Sequence, residues 1–284
     1  MLVRDIVIQN ARKYPEKTAF IFESARCSFG EFNNRVNSLT NALLDMRLRK
    51  GDGIAILADN CTQYIEIYFA GAKAGLPLVP INTSLSMKSL SYIINNSGAS
   101  VIIFGENYLE TVSSIYPELN TVKSLIILGS KSSDLESYED LISRYSPDEP
   151  KVALDEDDPF CIAYTSGTTG LPKGVTLTHR NIVASAISSI IQFHINHEDI
   201  AFLTWPAFSH AWPWFLIPHF YVGTTAIAVK EFDPVVTLEI VEREKVTTCF
   251  LTPSMLASIL NCPALGKYDL GGLRLIVSEG ENMP

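Results

Sequence analysis

The sequence predicts an α/β protein built on largely parallel sheets. Three observations carry that prediction. Short apolar runs alternate with helical patterns along most of the 284 residues, the order that parallel strands joined by crossover helices produce. The helical patterns open on recognisable caps. The composition, 47% hydrophobic with 19% charged residues, supplies a packed core and argues against disorder.

The strand candidates are residues 18–23, 53–58, 78–81, 100–104, 125–128, 160–164, 226–229, 248–251 and 273–277. Ser28-Phe29-Gly30-Glu31 has the form of a capping box and opens a helix running to about Met46. Asp233-Pro234 puts a cap and a first-turn proline before a helix ending near Lys245. Thr252-Pro253 does the same for residues 254–260. Residues 1–12 read as a helix with charges inside it, not as a signal peptide. The most apolar stretch, residues 211–223, is interrupted by Pro213, Pro218 and His219 and is too short to span a bilayer. There is no internal repeat. The best linker candidate is residues 131–158, rich in Ser, Asp, Glu and Pro around one short helix at 138–145. It divides the chain into approximate halves, 1–150 and 151–284.

The net charge of −9 argues against nonspecific nucleic-acid binding, which needs a basic face. It leaves a single nucleotide ligand open, because a few placed donors suffice for one triphosphate. The five cysteines, Cys27, Cys61, Cys161, Cys249 and Cys262, are scattered and never form a C-x-x-C pair. Reduced thiols in a cytoplasm fit that pattern better than disulfides or zinc. No histidine spacing suggests a metal site; His194 and His197 flank a turn, His219 lies in an apolar helix, and His179 begins one.

After the linker comes F-C-I-A-Y-T-S-G-T-T-G-L-P-K-G-V, residues 160–175. An apolar strand delivers the chain into a loop at 165–174 with three glycines, four hydroxyl residues and a lysine. Gly167, Gly170 and Gly174 let backbone N–H groups converge on an anion. Thr165, Ser166, Thr168 and Thr169 add hydroxyl donors, and Lys173 adds a mobile positive charge suited to phosphate. This is not a P-loop, since Pro172 precedes the lysine and Gly174, not Ser or Thr, follows it.

Y-T-S-G-T-T-G-L-P-K-G resembles the phosphate-binding signature of the adenylate-forming superfamily. That group includes acyl- and aryl-CoA synthetases, luciferases and peptide-synthetase adenylation domains, and the chain is most like an acyl-CoA ligase. G-A-K-A-G-L-P-L-V-P-I-N (residues 71–82) and L-T-H-R-N (residues 177–181) are similar to the family on either side of the loop, and the resemblance covers the whole chain. It implies the large N-terminal domain of such an enzyme, with stacked, mostly parallel sheets between helices. W-P-A-F-S-H-A-W-P-W (residues 205–214) resembles the family's Pro-x-Phe-His motif, with Ser209 as one extra residue. By that resemblance His210 borders the substrate carboxylate, with Lys173 as the other catalytic residue, and Trp214 stands where some long-chain members gate a fatty-acyl tunnel. L-R-L-I-V-S-E-G-E-N-M-P (residues 273–284) resembles the adenine-site strand and turn, with Glu279 in place of the first glycine. There Gly280, Glu281 and Asn282 are expected to line adenine, and Gly280 the acyl pocket as well.

The resemblance implies ATP, Mg2+ and coenzyme A as cofactors or co-substrates, and a small-molecule carboxylic acid, first a fatty acid, as partner. Aryl acids are the nearest alternative. A carrier protein stays open as the thiol acceptor, and oligomeric state leaves no signature. The family's Tyr-Gly-x-Thr-Glu motif, its ribose-binding aspartate and its C-terminal adenylation lysine have no match in these residues. The expectation is an N-terminal fragment, inactive alone, of a cytoplasmic enzyme of fatty acid metabolism. A P-loop kinase forming ADP and a non-catalytic nucleotide- or acyl-binding remnant are the competing classes.

Overall fold

A computed structural model describes residues 1–129, 135–165, 171–209 and 211–280 of the chain. The order begins α1 (Val3–Lys13), β1 (Thr18–Phe22), β2 (Ala25–Ser28), α2 (Phe29–Asp45), β3 (Gly53–Leu57), α3 (Thr62–Ala74), β4 (Leu78–Pro80) and α4 (Met87–Asn96). It continues with β5 (Ala99–Gly105), α5 (Leu109–Ile115), β6 (Ser124–Leu128), β7 (Glu136–Ser137), α6 (Tyr138–Ser143), β8 (Pro159–Thr165) and β9 (Lys173–Thr178). The remainder is α7 (His179–Phe193), β10 (Ile200–Leu203), α8 (Ala211–Val222), β11 (Thr225–Ala228), α9 (Pro234–Arg243), β12 (Thr248–Leu251), α10 (Pro253–Leu260) and β13 (Leu275–Ser278). The caps form where the sequence places them. Ser28 and Glu31 exchange hydrogen bonds in a capping box. The Asp233 carboxylate accepts from the N–H groups of Val235 and Val236, and the Thr252 hydroxyl accepts from that of Met255.

The strands form two sheets. One runs β13-β12-β10-β11-β1-β2 and the other β7-β6-β5-β3-β4-β8-β9. All neighbours are parallel except the terminal pairs β1–β2 and β8–β9, which are antiparallel. The expected architecture of mostly parallel sheets between helices is therefore present. Sheet membership does not follow chain order: β1 and β2 join the sheet of the later strands, while β8 and β9 join that of the earlier ones.

The apolar residues sort into layers. Between the sheets lies a core containing Val3, Phe29, Phe32, Tyr64, Phe69, Trp212 and Phe220 from helices, with Phe20 and Ile54 from the two sheets. On the outer face of the seven-stranded sheet, Leu57 and Ile102 meet Leu90 of α4 and Val112 of α5. On the outer face of the other, Phe202 and Ile227 meet Leu238 of α9 and Ile259 of α10. Strands covered on both faces read as continuous apolar runs, which is why β3, G-I-A-I-L, is buried throughout.

Two sequence expectations change. Pro213 and Pro218 do not break the apolar stretch; α8 runs through both, packed into the core through Trp212, Phe215, Leu216, Ile217 and Phe220, although it is far too short to cross a membrane. No helix among the described residues is long and apolar enough to do so. The described part of the linker candidate, 135–158, is strapped down rather than loose. Buried Lys73 donates to Asn33 (2.8 Å), Asn37 (2.6 Å) and Glu149 (2.8 Å). Asn37 donates to the Pro147 carbonyl, Ser38 to that of Tyr145 and Arg4 to that of Val152. Burial pushes the Lys73 ammonium down to about 8 against the opposing pull of Glu149.

Two buried histidines make stability depend on pH. The His219 ring lies 2.6 Å from the Phe215 carbonyl and 2.9 Å from the Thr248 hydroxyl. The Val3 N–H donates to His179 Nδ1 at 3.3 Å. Burial pushes each imidazole down to about 4. Both fold neutral, whereas the unfolded chain takes up protons near pH 6.5. Their contribution is complete above pH 6.5 and is lost as pH falls towards 4, with a span on the order of 3 kcal/mol for His219. His219→Gln is expected to show a shallower decline in melting temperature between pH 6.5 and 4.5 than the parent. An equal slope contradicts this assignment.

Candidate active site

The glycine- and threonine-rich loop closes a hairpin. β8 and β9 pair antiparallel from Pro159↔Thr178 to Thr165↔Lys173. Thr165 and Lys173 thus face each other as the last pair before the loop, and both are exposed. The sequence reading put Lys173 and Gly174 inside the loop; here they open β9. The strand was missed because it is an exposed edge, with four of its six residues solvent-facing and hence no apolar run. The signal available was the β-branched content of Val175, Thr176 and Thr178.

Gly174 has a packing role. A Cβ there would lie 2.9 Å from Ile162 Cγ2 and 3.0 Å from the Tyr164 ring. The Tyr164 hydroxyl donates to Asn96 at 2.7 Å, so the ring cannot swing aside without losing that bond. Gly174→Ala is expected to cost about 1–3 kcal/mol of stability by overpacking, read as a lowered melting temperature; an unchanged value contradicts the close approach.

At the base of the hairpin the chain is clamped. Arg180 grips Asp157 with two hydrogen bonds (2.8 and 2.9 Å), and Lys50 pairs with Asp158 at 2.6 Å. The Thr178 hydroxyl accepts from the Asn181 N–H and caps α7.

The second motif follows β10. Its residues 204–209 leave the carboxyl end of the sheet, where ligands of open α/β sheets bind. Asn60, at the carboxyl end of β3 in the other sheet, holds them. Its amide donates to the carbonyls of Trp205 (3.0 Å) and Val229 (2.9 Å) and accepts from the Ala207 N–H (2.6 Å). Trp212 Nε1 also donates to the Trp205 carbonyl at 2.7 Å. Asn60 was not singled out from sequence. The only available signal was a short polar residue directly after an apolar strand, and its partners lie well over a hundred residues away.

Trp214 stands between two spaces. On one side is an apolar cavity of about 230 Å³ whose lining includes Tyr68, Cys161, Ala163, Leu177, Ala186 and Trp214. On the other is an open cleft lined by Phe193, Trp214 and residues 275–279 of the β13 region. The cavity therefore joins the β8–β9 hairpin to Trp214, and the cleft joins Trp214 to the end of the described chain. Gly280 closes the arrangement. Its φ of +99° and the Trp205 ring, 3.0 Å from where a Cβ would sit, both require glycine.

Of the residues singled out from sequence, Thr165, Lys173, Trp214 and Gly280 are thus placed. Ser166, Gly167, Thr168, Thr169, Gly170, His210, Glu281 and Asn282 lie outside the described residues. Among the described residues, no group of three or more His, Cys, Asp or Glu side chains could hold a metal ion.

Two stacked, mostly parallel sheets with this hairpin at the edge of one of them define an α/β domain whose candidate site lies at the carboxyl ends of the strands. The family model described as AMP-binding enzyme matches residues 7–284, and the chain belongs to that family. It is 30% identical to the feruloyl-CoA synthase of an Amycolatopsis species over 98% of this chain and 54% of that protein. It is 29% identical to the long-chain-fatty-acid–CoA ligase FadD13 of Mycobacterium tuberculosis over 97% of this chain and 54% of that one. The chain spans about half the length of these curated relatives. Among solved structures, the inhibitor-bound N-terminal domain of FACL13 from M. tuberculosis matches all of this chain and 71% of its own, with TM-score 0.93 and 27% identity. The anthranilate CoA ligase AuaEII bound to anthranoyl-AMP matches all of this chain and 56% of its own, with TM-score 0.94 and 25% identity.

Proposed function

We propose that this chain forms the nucleotide- and acid-binding part of an AMP-forming acid–thiol ligase acting on a fatty acid. The observation that carries the reading is the cavity linking the β8–β9 hairpin to Trp214. An apolar cavity walled by the strands that flank the signature loop supports a substrate with an apolar tail. The relatives named as CoA ligases support the class.

In the proposed reaction an acid carboxylate, already ionised at neutral pH, attacks the α-phosphorus of ATP. The bond to the β-phosphate oxygen breaks and pyrophosphate leaves, giving an acyl-adenylate. A thiol, coenzyme A in this reading, then attacks the acyl carbon and releases AMP. No general base is needed for the first step. The difficulty is repulsion between an anionic nucleophile and a polyanion, so the protein's task is positioning and charge neutralisation. Thr165 and residues 166–170 hold the β- and γ-phosphates, and Lys173 offsets part of the charge on the departing pyrophosphate. His210 and Gly280 border the carboxylate end of the acid. Trp214 separates that end from the tail cavity. Gly280, Glu281 and Asn282 line adenine. Mg2+ is the expected companion of ATP.

Aryl acids are the second reading, favoured by the likeness to proteins named for feruloyl and anthranilate substrates. The protein is assigned to the cytoplasm. The 284 residues alone are expected to turn over little, because no residue in them matches the adenylation lysine or the magnesium glutamate. Incubation with ATP, acid and coenzyme A tests the class. The reading predicts that any nucleotide product is AMP and that ATP–pyrophosphate exchange stays at background for this chain. Formation of ADP overturns the class, and robust exchange overturns the assignment of inactivity.

A further inference from the structure

The tail cavity has a definite size, and that size names the acids it takes. We infer that the cavity behind Trp214 recognises a compact tail of about nine non-hydrogen atoms rather than a long fatty chain. This rests on the proposed function, because it treats the cavity as the place for the acid's tail.

The argument begins with volume. An apolar cavity of about 150 Å³ takes up one benzene ring, or about 25 Å³ per carbon. At that packing the 230 Å³ here holds about nine carbons. With the carboxyl carbon and its neighbour on the far side of Trp214, the best acid has about ten or eleven carbons in all. An arylpropenoic acid of the same length fits the same space.

The walls decide what happens to longer tails. Buried Tyr68, Cys161, Ile182 and Ala186 belong to the largely apolar lining. The Tyr68 ring is fixed against Phe160, with centroids 6.0 Å apart, and Phe160 against His179 at 5.8 Å. That row of rings belongs to the core and does not yield cheaply. Besides Tyr68, whose hydroxyl is buried, the polar members of the lining are Asn181, which is exposed, and Ser185, which is half-buried. They lie one turn apart on α7 and mark the solvent side. A tenth or eleventh tail carbon therefore emerges beside Asn181 and Ser185 into water and gains no burial.

The test is binding of straight-chain carboxylic acids from four to sixteen carbons to the 284-residue chain, by calorimetry below their micelle concentrations. Affinity is expected to rise about fourfold for each added methylene up to ten or eleven carbons and to stay level beyond. Cinnamic acid is expected to bind at least as tightly as octanoic acid. A rise continuing to sixteen carbons overturns the size assignment while leaving the functional reading in place. No binding at any length overturns both. Ser185→Leu adds two non-hydrogen atoms at the rim, in a helix that favours leucine over serine. It is expected to move the plateau about two carbons shorter. A folded variant with an unmoved plateau overturns the placement of the tail, and the series on the parent chain stands whether or not that variant folds.

Discussion

Lys173→Ala is expected to weaken ATP binding about ten- to a hundredfold, the loss of a charge-assisted contact of about 1.5–3 kcal/mol, with little change in melting temperature. The two halves of that expectation have separate causes. Lys173 is exposed at the open end of the hairpin, paired in register with Thr165, so truncating it removes no packed surface. It is the first residue after the signature loop, which in the proposed function brings it within reach of the phosphates. Calorimetric titration with ATP, with a melting curve on the same sample, checks both. Unchanged ATP affinity removes the lysine from the phosphate site. A large fall in stability instead would give it a structural role that its exposure does not support.

Asn60→Ala is expected to be the most damaging single change in the interior of the site. Three hydrogen bonds from one buried side chain hold the carbonyls of Trp205 and Val229 and the N–H of Ala207. Truncation leaves the Val229 carbonyl and the Ala207 N–H without that partner. Each costs about 1–3 kcal/mol of desolvation, so a total of roughly 3 kcal/mol is expected. The Trp205 carbonyl keeps its bond from Trp212, which limits the loss. The local consequence is greater than the global one. Residues 204–209 lose their tie to the opposite sheet, and Trp205 no longer packs squarely on Gly280. Chemical denaturation reads the first effect, and a shift in tryptophan emission reads the second. A variant as stable as the parent, with unshifted emission, contradicts the stitching role.

The fold was legible where a residue's environment repeats along the sequence. Buried parallel strands such as β3, β5 and β12 announce themselves as apolar runs, and the caps at Ser28, Asp233 and Thr252 need only neighbours within three residues. Three of the missed strands lack such a local signature: β2 carries Arg26 and lies at an edge, β7 has two residues, and β9 is mostly exposed. β10, I-A-F-L, does carry an apolar run and was passed over all the same. Composition misled at residues 131–158, because Ser, Asp, Glu and Pro are as useful in a strap as in a linker. What distinguishes the two is a set of partners on α1, α2 and α3, chief among them Lys73, about seventy-six residues from Glu149. The loop and Trp214 were legible through their motifs. The cavity between them was not, since its walls come from six elements and only folding brings Tyr68 beside Cys161 and Trp214.

Hydrogen–deuterium exchange of the 284-residue chain, with and without saturating ATP, tests most directly whether the β8–β9 hairpin is the proposed phosphate site. Phosphates held by the signature loop slow exchange in peptides spanning residues 160–178, including the amides of Thr165 and Gly174 on either side of it. Protection confined to other parts of the chain, or none at saturating nucleotide, would contradict the assignment of the hairpin as the phosphate site.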